Sequence, residues 1–309
     1  MNSIPNVHIV IVNYSTWEDT IECMESVHKI DYPKYKVIVV DVANERNSCD
    51  HLSSWIDKSD NEVFTLLRLS ENRGFAAANN LALDQILRES ECEYIWLLNN
   101  DTVVENDSLT HLCKYFIEQS SGEARPAFLG SKILDYHHRD IIQTVGATFN
   151  PMTGYIKLVG MGEKDEGQHD IPNKKINHVI GASMFFHKSI INDIGLMPED
   201  YFIYFEDVDW CISAVRKGYY NTVCIDSIVY HKLGGSTGND YLENKFNPQT
   251  SKYLYINYIK FYRKFYRYLI PVAYLILLKQ SAGKFYHKRF QESFMILKIF
   301  LKMLFGITK

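Results

Sequence analysis

Apolar residues fall into short unbroken runs over most of the chain and into helical stripes near its end. The β-branched run Val7 to Val12 stops at Asn13-Tyr14, which predicts a strand opening into a loop. Ile21, Met24 and Val27 share one face of a helix expected over 16–30, with Ser15 and Thr16 as candidate caps. Val37 to Val40 gives a second strand ending in Asp41, and this β-α-β opening argues for a parallel sheet. From Asn44 to Asp60 the pattern allows a short helix at best, before a third strand over 63–69. A helix follows from about Gly74 to Ser90, then the five-residue apolar strand Tyr94 to Leu98.

Leu109, Leu112, Tyr115 and Phe116 mark a helix over 108–119, and Ala127 to Leu134 another strand. Between Asp135 and Asn177 the periodicity weakens, so strands and a long surface excursion are expected there. His137 and His138, within it, read as solvated loop residues. Strands over 179–186, 222–225 and 228–230 alternate with helices over 189–194 and 207–217, closed by Gly195 and Gly218. The expected architecture is α/β: a Rossmann-like, mostly parallel central sheet flanked by helices. No internal repeat, P-loop or G-x-G-x-x-G occurs.

Composition adds little until charge is resolved along the chain. A hydrophobic content of 46% and 309 residues suit an ordinary folded protein with a sizeable core. The six scattered cysteines lack metal or disulfide spacing and read as reduced core thiols. No basic stretch leads into a long apolar run at the N-terminus, so no signal peptide is expected. The net charge of −4 hides a split. Residues 251–309 hold twelve Lys/Arg against one acid, a balance of +11, leaving 21 basic against 36 acidic residues before them. Two units are therefore expected: 1–250, and a basic, Tyr-rich helical segment 251–309.

That segment mixes tyrosines with its charges, a combination favoured at a membrane–water interface. Its longest uncharged run, Tyr268 to Leu278, contains Pro271 and is too short to span a bilayer. Phe290, Phe294, Leu297, Leu301 and Leu304 form one stripe, with Lys298 and Lys302 on another. Helices lying on a membrane surface, helices docked on the core and a dimer interface all fit this pattern.

Candidate chemistry gathers where strands end. The strand at Tyr94 runs into Asn99-Asn100-Asp101, oxygen-bearing side chains beyond a buried strand, where open α/β sheets place ligands. Such oxygens suit Mg²⁺ or Mn²⁺ shared with a substrate phosphate, although Asn and Asp are also ordinary turn residues. Asn72, Arg73 and Gly74 precede an Ala-rich helix start that suits either a phosphate or tight packing on the sheet. Tyr201 to Trp210 is a dense aromatic run interrupted by Glu206, Asp207 and Asp209. These acids either oppose a helix macrodipole or act chemically in an apolar setting. His231 ends a strand before the loop Lys232 to Gly238 and suits metal or phosphate contact.

Taken in order, the blocks IVIVNY (9–14), VVDVAN (39–44), ENRGFAAANN (71–80), WLLNNDT (96–102), FEDVDW (205–210) and VYHKLGGST (229–237) resemble glycosyltransferase family 2. These are inverting nucleotide-sugar enzymes of the GT-A fold, and the likeness is to bacterial rhamnosyltransferase-like members over residues 7 to about 240. The resemblance implies that Asn13, Tyr14, Asp41 and Asn44 lie against the base and ribose. It places Asn72, Arg73, Gly74 and Asn79 along the wall between nucleotide and diphosphate. Asn99-Asn100-Asp101 stands where the family has a D-x-D motif for a divalent cation, Mg²⁺ or Mn²⁺. Asn99 weakens the charge there, leaving Asp101 as main ligand with His231 completing the site.

The family pattern puts the catalytic base at Asp207, whose pKa a desolvated, partly aromatic pocket can raise toward working pH. Glu206 and Asp209 orient the acceptor or are structural, while Trp210 either stacks on a sugar or fills the core. The implied donor is dTDP-rhamnose or a UDP-hexose. The implied acceptor is a glycan or a polyprenyl-diphosphate-linked glycan, used in bacterial surface polysaccharide assembly. This places the protein in the cytoplasm, at the anionic inner face of the membrane, with no role for nucleic acid. A non-catalytic nucleotide-sugar or glycan-binding module of the same fold is the alternative, for which Asn99 leaves room. A nucleotidyltransferase would lack its Gly-rich loop.

Overall fold

The β-branched run at the start of the chain becomes β1 (Val7–Asn13), followed by α1 (Trp17–His28), β2 (Tyr35–Val42), α2 (Ser48–Ser59), β3 (Phe64–Leu69), α3 (Phe75–Ile86) and β4 (Tyr94–Asn99). The computed structural model describes residues 4–42, 47–59, 62–122, 125–171, 176–232 and 246–306. The chain continues through β5 (Thr102–Val104), α4 (Ser108–Ser120), β6 (Pro126–Asp135), β7 (Ile142–Thr144), β8 (Ala147–Asn150) and β9 (Tyr155–Leu158). Next come β10 (Ser183–His187), α5 (Ile190–Ile194), α6 (Glu206–Arg216) and β11 (Tyr220–His231). Three helices follow: α7 (Pro248–Phe265), α8 (Ile270–Tyr286) and α9 (Phe290–Phe305).

The sheet is nine-stranded and ordered β3-β2-β1-β4-β10-β6-β11-β5, with β7 beside β6. β1 pairs in parallel with β2 and β4, β2 with β3, and β6 with β11. β10 runs antiparallel between β4 and β6, and β5 and β7 are antiparallel to their neighbours. The sheet is therefore mixed, with a parallel majority among its long pairings.

Both faces are covered, which explains unbroken apolar runs instead of alternation. Ile9, Ile11, Val37, Val39 and Trp96 pack with α1 and α4, while Val10, Ile38, Val40, Ile95 and Leu97 pack with α3 and α6. Two expected strands, 222–225 and 228–230, form the single β11 with a register shift between Cys224 and Ile228. α2 runs twelve residues, longer than its sparse apolar content promised. The weakly patterned stretch after Asp135 is only partly a surface excursion: Ile142 and Thr144 are buried, and β7 joins the main sheet. Met152 and Tyr155, near the β8–β9 hairpin turn, are exposed. All six cysteines are free thiols.

The expected division at residue 250 falls in the first turn of α7. That helix is built into the α/β body. Tyr255, Tyr258, Ile259, Phe261 and Tyr262 are buried with Phe149, Tyr201, Phe205 and Val208. α8 and α9 then pack on α7 and on each other.

Candidate active site

The parallel strands end in register, with Asn13 beside Asp41 and Val12 beside Asn99, and their polar side chains knit together. The Asn13 amide donates to Asp41 Oδ1 at 2.6 Å, and the Ser48 hydroxyl to the same oxygen at 2.7 Å. Thr20 donates to Asn13 Oδ1 at 2.7 Å. Asn100 Nδ2 lies 2.8 Å from Thr16 Oγ1 and 2.9 Å from Thr20 Oγ1. The hydroxyl of Thr16, at the start of α1, thus meets Asn100 and makes no capping bond to its own helix. Asn13 and Asp41 are almost fully buried beneath the site, whereas Tyr14 reaches its surface. Asn44 and residues 233–238 of the loop after His231 lie outside the described residues.

Above this floor lies a cavity of about 380 Å³. Tyr14, Asn72, Gly74, Asn99, Asn100, Asp101, Glu206, Asp207 and His231 line it. Among the residues expected here, Arg73 turns outward into an ion pair with Glu199 at 2.6 Å. Asn79 is buried in α3 and donates to Phe75 O at 3.0 Å. Asp209 is buried away from the cavity, accepting from Tyr201 Oη at 2.8 Å and Lys264 Nζ at 2.7 Å, so it ties α6 to α7. Trp210 lies in the core against Phe128 and Phe186, its indole N–H on Gly195 O at 2.9 Å.

On one wall, Asp101 Oδ1 lies 3.1 Å from His231 Nε2. Gln143 on β7 fixes that ring from behind. Its amide donates to His231 O at 2.5 Å, so its oxygen faces Nδ1 at 3.0 Å. Nδ1 is then a donor and Nε2 faces Asp101 and the cavity: in the imidazolium form Nε2 donates to that carboxylate, and in the neutral form its lone pair is open to a cation. Burial alone would push the Asp101 pKa up; the imidazole of His231, backbone N–H and Lys232 outweigh it and hold the carboxyl below its ordinary value. Among the described residues no cluster of three or more His, Cys, Asp or Glu could hold a metal. Asp101 and His231 offer one oxygen and one nitrogen, a set suited to Mn²⁺ or Mg²⁺ when substrate phosphate and water supply the remaining ligands.

On another wall, Asp207 sits in the first turn of α6. Its Oδ2 accepts from His178 Nε2 at 3.0 Å and Gly181 N at 3.1 Å, and its Oδ1 from Val208 N at 2.8 Å. The expectation of a raised pKa is corrected here. Burial pushes up, but His178 and the two backbone N–H groups win, and the carboxyl is held below the usual value. The raised pKa belongs to Glu206 instead. Its Oε2 is buried and finds no hydrogen-bond partner among the described residues, and burial together with the adjacent Asp207 charge disfavours its ionised form.

The aromatic loop between these walls is strained. Phe202, Tyr204 and Phe205 all have positive φ (62°, 65° and 77°), a region uncommon for bulky residues. Two contacts hold it. Asn257 Nδ2 of α7 lies 2.7–2.9 Å from the carbonyls of Tyr201, Ile203 and Tyr204. Gly74, at φ 97°, lets the chain before α3 approach so closely that a Cβ would stand 2.1 Å from Phe202 O. Sequence reasoning missed His178, Gln143 and Asn257. Gln143 lies in the weakly periodic stretch, His178 just after it and Asn257 in the supposed tail, and none sits in a motif.

A model of glycosyl transferase family 2 matches residues 8–195. The dTDP-rhamnosyl transferase RfbF of Shigella flexneri is 25% identical over 237 residues, which cover 76% of this chain and 71% of that protein. The low-salt glycan biosynthesis hexosyltransferase Agl10 of Haloferax volcanii is 24% identical over 215 residues, 69% of this chain and 63% of its own length. The match thus spans less than two-thirds of that relative.

In fold, the chain is similar to GalNAc-T7 solved with UDP, GalNAc and Mn²⁺, with a TM-score of 0.66 at 13% identity, over 91% of this chain and 51% of that one. It is also similar to the mannosyltransferase PcManGT of Pyrobaculum calidifontis solved with GDP-Man and Mn²⁺, with a TM-score of 0.57 at 14% identity, over 99% and 88%. At such identities the likeness establishes the fold, which is GT-A-like. Since the family model covers the sheet from β1 through β10 and the strand ends carry the matching blocks, the chain belongs to glycosyl transferase family 2.

Proposed function

We propose that this protein is a metal-dependent, inverting hexosyltransferase. It moves a sugar from dTDP-rhamnose or a UDP-hexose to a glycan or polyprenyl-linked glycan in bacterial surface polysaccharide assembly. The observation that carries this reading is one cavity holding Asp207, ionised and oriented by His178, together with the Asp101–His231 pair. In the reaction an acceptor hydroxyl oxygen bonds to the anomeric carbon, and the bond from that carbon to the diphosphate breaks on the opposite face. Asp207 takes the hydroxyl proton. A carboxylate of lowered pKa is a weak base, so it accepts the proton late, once the forming bond has made the hydroxyl acidic. His178 and Gly181 N fix the direction of Oδ2, leaving Oδ1 as the open oxygen besides its bond to Val208 N.

Asp101 and His231 would hold the divalent cation, which neutralises charge on the departing diphosphate. Gln143 keeps His231 turned toward it. Tyr14 and Asn72 reach the cavity surface where the nucleotide is expected, while Asn13 and Asp41 brace the strand ends beneath. The acceptor enters beside the 202–204 loop and Glu206.

The experiment is nucleoside diphosphate release from a panel of sugar nucleotides with Mg²⁺, Mn²⁺ or EDTA, using membrane extract as acceptor source. The expected outcome is metal-dependent release from one donor, lowered roughly 10²–10⁴-fold in Asp207→Asn while nucleotide binding persists. Asn99, which leaves one carboxylate at the cation site, favours the second reading, a non-catalytic nucleotide-sugar or glycan-binding module. Nucleotide binding without release from any donor, even with a defined lipid-linked acceptor, would establish that reading in place of the first.

A further inference from the structure

The helical hairpin α8–α9 turns apolar side chains outward along its length. On α8, Pro271, Leu275, Leu278, Ala282 and Phe285 recur at i, i+4, i+7, i+11 and i+14, and all are exposed. On α9, Phe290, Phe294, Leu297, Leu301 and Leu304 repeat the same spacing and are exposed as well. The two stripes meet at the hairpin turn, where the rings of Phe285 and Phe290 lie 5.1 Å apart. The packing that holds the hairpin to α7 uses other residues, among them Ala273, Leu277, Ile296 and Ile299. Neither helix is long and apolar enough to cross a membrane.

Charge singles out the partner. The one carboxylate of residues 251–309, Glu292, is buried, bonded to Tyr255 and paired with both Lys284 and Arg289. No anion of the hairpin therefore faces outward, while Lys279, Lys288 and Lys298 are exposed beside the stripes. Lys284, His287 and Arg289 line a hollow at the turn that keeps a cationic excess, since two cations share one carboxylate. Tyr268 and Tyr286 are exposed, at 99% and 82%, placed as interfacial aromatics are.

We infer that the α8–α9 face is a membrane-docking surface, lying in the plane of an anionic lipid bilayer with its two apolar stripes in the acyl boundary and its lysines among the headgroups. A second copy of the chain is a poor occupant, because a two-fold contact would bring Lys279 and Lys298 against a surface equally free of anions. The inference rests on the hairpin alone and does not depend on the donor or on catalysis.

The test is flotation of the full-length protein with vesicles of phosphatidylcholine alone or mixed with phosphatidylglycerol. Wild type is expected to float with the anionic vesicles and to detach as salt rises. Replacing Leu275, Phe294 and Leu301 together by Gln is expected to abolish flotation. Lys279→Ala and Lys298→Ala are each expected to weaken it about fivefold. Unchanged nucleotide binding and far-UV circular dichroism would show that these variants fold. The inference is overturned if wild type stays unbound to anionic vesicles, or if the apolar variant floats as wild type does. It is also overturned if wild type is a dimer that the apolar variant makes monomeric, since a second copy would then occupy the face.

Discussion

His178 illustrates how much of this site is decided by a single contact. Asp207 is half-buried, and that desolvation pushes its pKa up; the imidazole 3.0 Å away and two backbone N–H groups outweigh it and hold the carboxyl below its ordinary value. His178→Ala removes the opposing influence and leaves the penalty. The acid limb of the kcat/KM profile should move to higher pH. A replacement that lowered the rate at every pH without moving that limb would mean that His178 only packs. Nothing in the sequence marks His178, because its partner lies 29 residues away and the pair forms only when the 178–181 turn meets the first turn of α6. Asp207 was legible for the opposite reason: an acid between aromatics, inside a block whose residues are contiguous in the chain. The sign of its pKa was not legible, since it depends on which side chain folds against it.

At the scale of elements, legibility followed burial. Strands covered on both faces left continuous apolar runs that fix β1 through β4 to within a few residues. α2 was underestimated because Leu52 is its one fully buried hydrophobic residue. β7 and β9 are three and four residues long, too short for any period to register. The loop before α6 takes its shape from α3 on one side and α7 on the other, so no local pattern encodes it. Gly74→Ala tests that arrangement directly. A Cβ there would collide with backbone, and positive φ adds strain, so about 1–3 kcal/mol of stability should be lost in denaturant unfolding. Turnover should fall more than nucleotide binding, because the displaced segment carries Phe202 and Tyr204 into the cavity wall.

Across the whole molecule, charge is segregated by surface and buried by exception. The carboxyls lining the cavity set opposite pH limits on stability. Asp101 and Asp207 have folded pKa values below their unfolded ones, so the stability they contribute is present above the unfolded value and lost as pH falls through the folded ones. Glu206 runs the other way. Its contribution is complete below its unfolded value, about 4.5, and disappears as pH rises toward its folded one. Glu206→Gln should therefore flatten the decline in melting temperature on the alkaline side and leave the acid side in place, as thermal unfolding across pH would reveal. The left-handed backbone at Phe202, Tyr204 and Phe205 has a consequence of a different kind. Each such residue stores on the order of 1–3 kcal/mol, so relaxing the loop would harden the protein against heat while reshaping the cavity wall it lines. Under the proposed function, selection of this protein for thermal endurance would then tend to erode turnover, and selection for turnover would tend to return variants that melt sooner.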